Sequence, residues 1–197
     1  MNKPFSQSCE NNKQPILQII QTIFQQSTTV WEIGSGTGQH ACYFAEKLPF
    51  LSWQTTDKEE NLPGINCWIE QSGLSNLPKS RVLNVVDEEW PCQTIDAVFT
   101  ANTLHIMNWS EVECFFAGLK RYLSKKAWVC IYGPFNYNGH YTSGSNLQFD
   151  QWLKSRDSQS GIRDFEAIEK LAKAVSLELI NDFAMPANNR LLVFQKN

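Results

Sequence analysis

The most constraining feature of the sequence is the stretch Val30-Trp31-Glu32-Ile33-Gly34-Ser35-Gly36-Thr37-Gly38, where a short β-branched and aromatic run meets three alternating glycines. The run from Thr28 to Ile33 has the composition of a strand. Beyond the glycines, Ala41, Phe44, Ala45 and Leu48 fall on one helical face, and Pro49 closes the segment. A strand, a glycine turn and a helix in that order form the opening unit of a parallel α/β sheet. Glycine suits such a turn because its backbone accepts positive φ and lets a ligand approach the main chain with no Cβ in the way.

The remainder of the chain repeats this unit. Pro15 is expected to open an amphipathic helix over about 15–26, with Ile16, Ile20, Ile23 and Phe24 on one face. A second strand, Leu51 to Thr56, ends at Asp57, a weaker helix covers 62–74, and Arg81 to Val86 reads as a third strand. Ile95 to Thr100 is a nearly continuous apolar strand, as expected when both faces of a sheet are covered. Ser110 is expected to cap a helix running to about Leu123, with Glu113 completing a capping box, and Trp128 to Tyr132 is the next buried strand. The segment 135–159, rich in Asn, Gly, Ser and Tyr, reads as a lid-like loop or a partly helical insertion. A helix from Arg163 to Val175 then precedes strands at Leu177–Phe183 and Arg190–Gln195, which the short turn at 185–189 makes antiparallel neighbours. The pattern predicts a single domain, 1–197, with a Rossmann-like doubly wound α/β sheet of about seven strands. It is mostly parallel, with a closing antiparallel hairpin and an N-terminal helix, and its ligand site is expected beyond the carboxyl ends of the first strands.

Composition narrows the partners. With 17 Lys+Arg against 20 Asp+Glu the net charge is −3, and no basic footprint for a nucleic acid is present. No apolar run is long enough for a transmembrane span, and the first thirty residues lack a signal-peptide pattern, so the expected setting is cytoplasmic and no membrane partner is implied. The cysteines, at 9, 42, 67, 92, 114 and 130, lack the paired spacing of a zinc site, and a disulfide framework is not expected. No metal is anticipated. The oligomeric state is not legible.

The glycine spacing is G-x-G-x-G, whereas the dinucleotide fingerprint places its third glycine one residue further on, where Gln39 stands. This argues against a bound pyrophosphate and for the variant of the turn that binds S-adenosylmethionine, with Gly34, Ser35, Gly36 and Gly38 forming the turn and Glu32 available for an ammonium group. The plain alternative is a tight turn with no ligand. Asp57, 19 residues beyond Gly38 and at a strand end, can accept both ribose hydroxyls, or can simply cap a turn. Asn84 or Asp87 is the candidate contact for adenine, and spacing does not choose between them. After the fourth strand, Asn102 is a further cofactor candidate and His105 a candidate general base, with a structural role as its alternative. This position lacks the Asn/Asp-Pro-Pro-aromatic sequence of amino methyltransferases acting on DNA bases or glutamine. Tyr132, the second catalytic candidate, is expected to shape a pocket with Asn136, Tyr137, His140 and Tyr141. Trp31, Trp53, Trp90 and Trp128 read as packing residues.

The glycine segment Glu32 to His40, together with Asn12-Lys13-Gln14-Pro15-Ile16-Leu17, Tyr132-Gly133-Pro134-Phe135, Gly161-Ile162-Arg163-Asp164 and Met185-Pro186-Ala187-Asn188-Asn189, resembles the class I S-adenosylmethionine-dependent methyltransferases. Within them it resembles the family (domain of unknown function nine-three-eight) that includes methyltransferase-like protein twenty-six. The resemblance covers nearly the whole chain. It implies cofactor contacts at Glu32, Gly34, Gly36 and Asp57, and it brings no acceptor; Asn84 stands where the family commonly has Asp. The expected activity is methyl transfer to a small-molecule acceptor. Its rivals are a non-catalytic protein that binds S-adenosylmethionine or S-adenosylhomocysteine and a nicotinamide-dependent oxidoreductase.

Overall fold

The computed structural model describes residues 3–197, so the first two residues of the expected domain lie outside the described residues. Its sheet has seven strands, built from β1 (Thr29–Ile33), β2 (Ser52–Asp57), β3 (Arg81–Val82), β4 (Ile95–Ala101), β5 (Leu123–Gly133), β8 (Leu177–Met185) and β9 (Asn189–Lys196). Their order is β3-β2-β1-β4-β5-β9-β8. The pairs β1–β2, β2–β3, β1–β4 and β4–β5 are parallel, while β9 runs antiparallel to both β5 and β8. This is the expected doubly wound sheet with its closing hairpin. The order reverses direction between β1 and β4, and in an open parallel sheet the crevice at that switch is where ligands bind.

Helices cover both faces. The helices α1 (Gln7–Ile23), α2 (Gln39–Lys47) and α3 (Leu62–Ser72) bury Ile16, Ile20, Phe44 and Ile65 against one face around Trp53 and Phe99. On the other face α4 (Trp109–Tyr122) and α6 (Phe165–Ala174) bury Phe115, Phe116, Leu119 and Ile168 against Val98, Val129 and Leu192. Trp31, Trp53 and Trp90 are core residues and Trp128 packs against the core, as expected. All six cysteines are free. Among the described residues no helix is long and apolar enough to cross a membrane.

Four local expectations are corrected. The first helix starts at Gln7, not near Pro15, because the Ser6 side chain accepts from the Cys9 N–H and caps it. Pro15 therefore lies inside the helix, where its missing N–H is offset by burial of Asn12, Ile16 and Ile20 on the sheet. Strand β3 stops at Val82 instead of Val86, since its partners are Thr56 and Asp57, the last residues of β2, and the ladder runs out there. Helix α4 is capped by Asn108, not Ser110: Glu111 N–H donates to Asn108 Oδ1 and Asn108 N–H to Glu111 Oε2, both at 2.9 Å. Glu113 instead accepts from Trp109 Nε1 at 3.0 Å.

The fourth concerns 135–159, where the partly helical insertion holds and the lid-like loop does not. It begins with β6 (Phe135–Asn136), paired with β7 (Arg163–Asp164), and contains the 13-residue helix α5 (Gly144–Arg156). The buried Asp150 ties α5 down by accepting from Ile162 N–H at 2.7 Å and from Tyr141 Oη and Lys154 Nζ at 2.6 Å.

Candidate active site

The carboxyl ends of β1, β2, β4 and β5 open into one cavity of about 800 Å³, within the usual range for small-molecule sites. Its floor is the glycine turn. Gly34, Gly36 and Gly38 have φ of +75°, +58° and +84°, the left-handed backbone that side chains disfavour. Gly34 is fixed by packing as well: a Cβ there would stand 2.7 Å from Thr103 Cγ2. At Gly36 a Cβ would meet nothing within 4 Å, and Gly36 lines the cavity, so its bare backbone faces open space that a ligand can enter. Gly38 opens α2 against the Ile65 backbone and is not a lining residue.

Asp57 lies at the end of β2 on the cavity wall and is buried. Its carboxylate accepts from Gly36 N–H and Lys58 N–H at 2.7 Å and from Asn61 Nδ2 at 2.8 Å. It thus holds the glycine turn and faces the cavity at once, so the capping and ligand-facing readings coexist. A carboxylate has about four acceptor positions, and three are occupied from within the protein.

Glu32 departs from expectation. Strand alternation turns it away from Trp31 and Ile33, and its Oε2 accepts from Trp53 Nε1 and Ser35 Oγ at 3.1 Å, behind the turn and off the cavity wall. Burial pushes its pKa up to about 7 against the lowering effect of these bonds. Its direct contribution is to hold Ser35, which does line the cavity. Of the adenine candidates, Asn84 lines the cavity, while Asp87 is exposed on the turn beyond and does not.

Asn102 reaches the wall in left-handed backbone, φ +58°, its N–H donating to Tyr132 O at 2.8 Å. His105 is buried on the same wall, with Phe149 edge-on at 5.2 Å, and burial aided by the nearby Arg163 cation lowers its pKa to about 4. It is therefore neutral near pH 7, able to accept a proton but a weak base. Tyr132 also lines the cavity, with the Asn12 and Asn189 side chains beside its hydroxyl and burial raising its pKa. The other residues expected around it do not join the site: Tyr137 donates to Asp182 Oδ2 and Tyr141 to Asp150 Oδ2, both at 2.6 Å, and neither they nor Asn136 and His140 line the cavity. The Tyr141 hydroxyl is spent within the insertion, and that of Tyr137 ties the insertion to β8.

The family described as "Protein of unknown function (DUF938)" matches residues 3–196. The chain belongs to the DUF938 family. Its fold is shared with solved methyltransferase structures. An O-methyltransferase family protein from Burkholderia thailandensis superposes with a TM-score of 0.81 at 15% identity, covering 94% of this chain and 56% of that one. An O-methyltransferase family 2 protein from Planctomyces limnophilus, in complex with apigenin, gives 0.83 at 15% identity over 96% and 58%. The N,N-8-amino-8-demethyl-D-riboflavin dimethyltransferase of Streptomyces davawensis gives 0.77 at 12% identity over 96% and 55%. The DUF938 chain spans just over half the length of these structures.

Much of the DUF938 cavity is closed by three segments, of which only α5 lies in a stretch, 135–159, that the sequence marks as lid-like. Ser8, Cys9 and Asn12 of α1, Asn146 and Phe149 of α5, and Pro186 and Asn189 of the final turn close it from above. Asn12 is also bonded to buried His40, Nε2 to Oδ1 at 2.5 Å, and burial lowers the His40 pKa to about 4. The available signal was the clustering of asparagines in 11–12 and 188–189, which repetition and periodicity do not detect.

Proposed function

We propose that this DUF938 protein transfers a methyl group from S-adenosylmethionine to a small-molecule acceptor. The observation that carries the reading is the single cavity at the sheet's switch point, floored by the bare Gly36 backbone and walled by Asp57. These residues fit the cofactor: open space beside Gly36 admits a close approach, and Asp57 keeps an acceptor position for a ribose hydroxyl. S-Adenosylmethionine, when bound, supplies a methyl group already activated by its sulfonium.

The chain's own work is then mainly positioning. Gly34, Ser35 and Gly36 present backbone, Asp57 the ribose acceptor, and Asn84 a polar edge for the base. Asn102 and His105 line the methyl-facing wall, beside the place where cofactor and acceptor meet, and Tyr132, flanked by Asn12 and Asn189, orients the acceptor's polar end. His105 takes the acceptor's proton at one of its ring nitrogens. With a pKa of about 4 it lies well below the value that makes a general base most effective at neutral pH, so the larger share of acceleration falls to holding the reactants together. The test is incubation of the protein with methyl-labelled S-adenosylmethionine and the low-molecular-weight fraction of a cell extract. Label is expected in a small molecule, with matching release of S-adenosylhomocysteine. Cofactor binding without any labelled product would instead favour the non-catalytic reading.

A further inference from the structure

The lining of the cavity is divided by charge. Among the described residues its charged members are Asp57, Lys58 and Glu111, and all three lie at one end, beside the end of β2 and the start of α4. Lys58 and Glu111 pair there, Nζ to Oε1 at 3.3 Å. The other end, formed by α1, α5, the ends of β4 and β5 and the final turn, has no Asp, Glu, Lys or Arg on its surface. Its titratable groups are uncharged near pH 7: burial holds His40 and His105 at about 4 and raises Cys9 and Tyr132. Arg163 is close behind His105, but its guanidinium donates to the Leu104, Met107 and Gln159 carbonyls and is not on the wall.

The lining of this uncharged end holds two unlike clusters. One is polar: Asn12 and Asn189 lie beside the Tyr132 hydroxyl, and Asn146 donates to the Asn188 carbonyl at 3.1 Å. The other is apolar: Phe149 stacks on Trp152 at 5.8 Å and 18°, and Ile106 and Met107 also line the cavity. Ile106 is 53% exposed and Trp152 49%, apolar surface at the cavity mouth that an apolar molecule could cover. A charged group brought to this end would lose its hydration and gain no opposite charge, whereas a neutral hydroxyl or carbonyl finds donors and acceptors and a flat ring finds aromatic faces.

Resting on the methyltransferase reading, we propose that the acceptor is an uncharged molecule with an aromatic face and a neutral hydrogen-bonding end, its face on the Phe149–Trp152 cluster and its neutral end at the Asn12–Tyr132–Asn189 cluster. To carboxylates, phosphates and ammonium compounds no side chain of this seat offers a counter-charge.

The test uses the full chain saturated with S-adenosylhomocysteine and matched phenolic probes read by calorimetry: methyl 4-hydroxyphenylacetate, 4-hydroxyphenylacetate and tyramine, and equivalent ester, carboxylate and amine triplets on two-ring and three-ring scaffolds. In each triplet that binds, the neutral member is expected to bind at least tenfold more tightly than both charged ones. Ser145→Lys, at an exposed position on the same wall, is expected to bring the carboxylates back to within tenfold of the neutral probes. Equal or tighter binding of a charged member to the unaltered protein overturns the proposal. So does failure of every neutral probe while S-adenosylhomocysteine binds, or unchanged selectivity in Ser145→Lys. Failure of S-adenosylhomocysteine in its own titration, with neutral probes still selected over charged ones, defeats the methyltransferase reading and leaves the charge selection standing.

Discussion

Gly36 and Gly73 offer a matched pair for asking whether the glycine turn meets a ligand. Both have left-handed backbone, φ +58° and +63°, and a Cβ added to either meets nothing within 4 Å. Gly73 caps α3 away from the cavity, whereas Gly36 lines it. Replacing either by Ala forces an L side chain into left-handed backbone, at about 1–2 kcal/mol. For a chain of this length that lowers Tm by about 2–8 °C, at about 2–4 °C for each kcal/mol. Stability should therefore fall alike in the two variants. Affinity should not: the Gly36→Ala methyl projects into the space where the cofactor must approach, and an overpacked contact costs about 1–3 kcal/mol. At about 1.4 kcal/mol for each factor of ten, Gly36→Ala weakens S-adenosylhomocysteine by about 5- to 150-fold while Gly73→Ala leaves it unchanged. Thermal melts and calorimetry on the same preparations separate the two effects. Equal affinities in two folded variants would refute the assignment of the turn.

Asp57→Ala is expected to weaken cofactor affinity by about 10- to 150-fold, from the loss of charge-assisted bonds worth about 1.5–3 kcal/mol, and also to lower Tm, because the Gly36 and Lys58 N–H groups lose their acceptor; wild-type affinity would make Asp57 a capping residue alone. His105→Gln should spare cofactor binding and lower kcat by about 10²-fold if proton acceptance contributes, and the wild-type rate should stay flat from neutral pH down toward about 4, where His105 protonates. Normal turnover would leave positioning to carry the reaction. Stability should also depend on pH. His40 and His105, with pKa lowered to about 4, contribute stability that is full above about 6.5 and lost as pH falls toward 4, while Glu32, raised to about 7, contributes stability that is full below about 4.5 and lost as pH rises through 7. Near pH 5.5 the two histidines outweigh Glu32 by about one proton, so stability should rise with pH there by about 1.4 kcal/mol per unit, and the slope should steepen in Glu32→Gln. Urea titrations across pH 5–6 check both statements.

The strand, turn and helix around Gly34–Gly38 were legible because local chemistry and tertiary need agree there: the residues free to adopt positive φ stand where the chain must reverse. The place of Asp57 on the cavity wall was legible because a strand end is a position in the sheet as well as in the sequence. Glu32 was misread because the two-residue period of β1, which sends Val30 and Glu32 to one face and Trp31 and Ile33 to the other, outweighs its nearness to the glycines. At α4 both Asn108-x-x-Glu111 and Ser110-x-x-Glu113 fit a capping box, and the sequence pattern does not choose between them. Helix α5 had no apolar stripe to reveal it, since its buried residues are Asn146, Asp150 and Leu153, and it is held by hydrogen bonds made to Tyr141 and Ile162 outside it. The segment holding α5 was read as a lid, but the parts of the roof from α1 and the final turn were illegible, because they meet α5 only once the sheet has brought the two ends of the chain together.

Whether the cavity at the switch point is an S-adenosylmethionine site is decided by calorimetry of the purified protein with S-adenosylmethionine, S-adenosylhomocysteine and NADH in separate titrations. One site of micromolar affinity is expected for each adenosyl compound, both weakened together by about 5- to 150-fold in Gly36→Ala, and no heat from NADH. Tight NADH binding without adenosyl binding would contradict it.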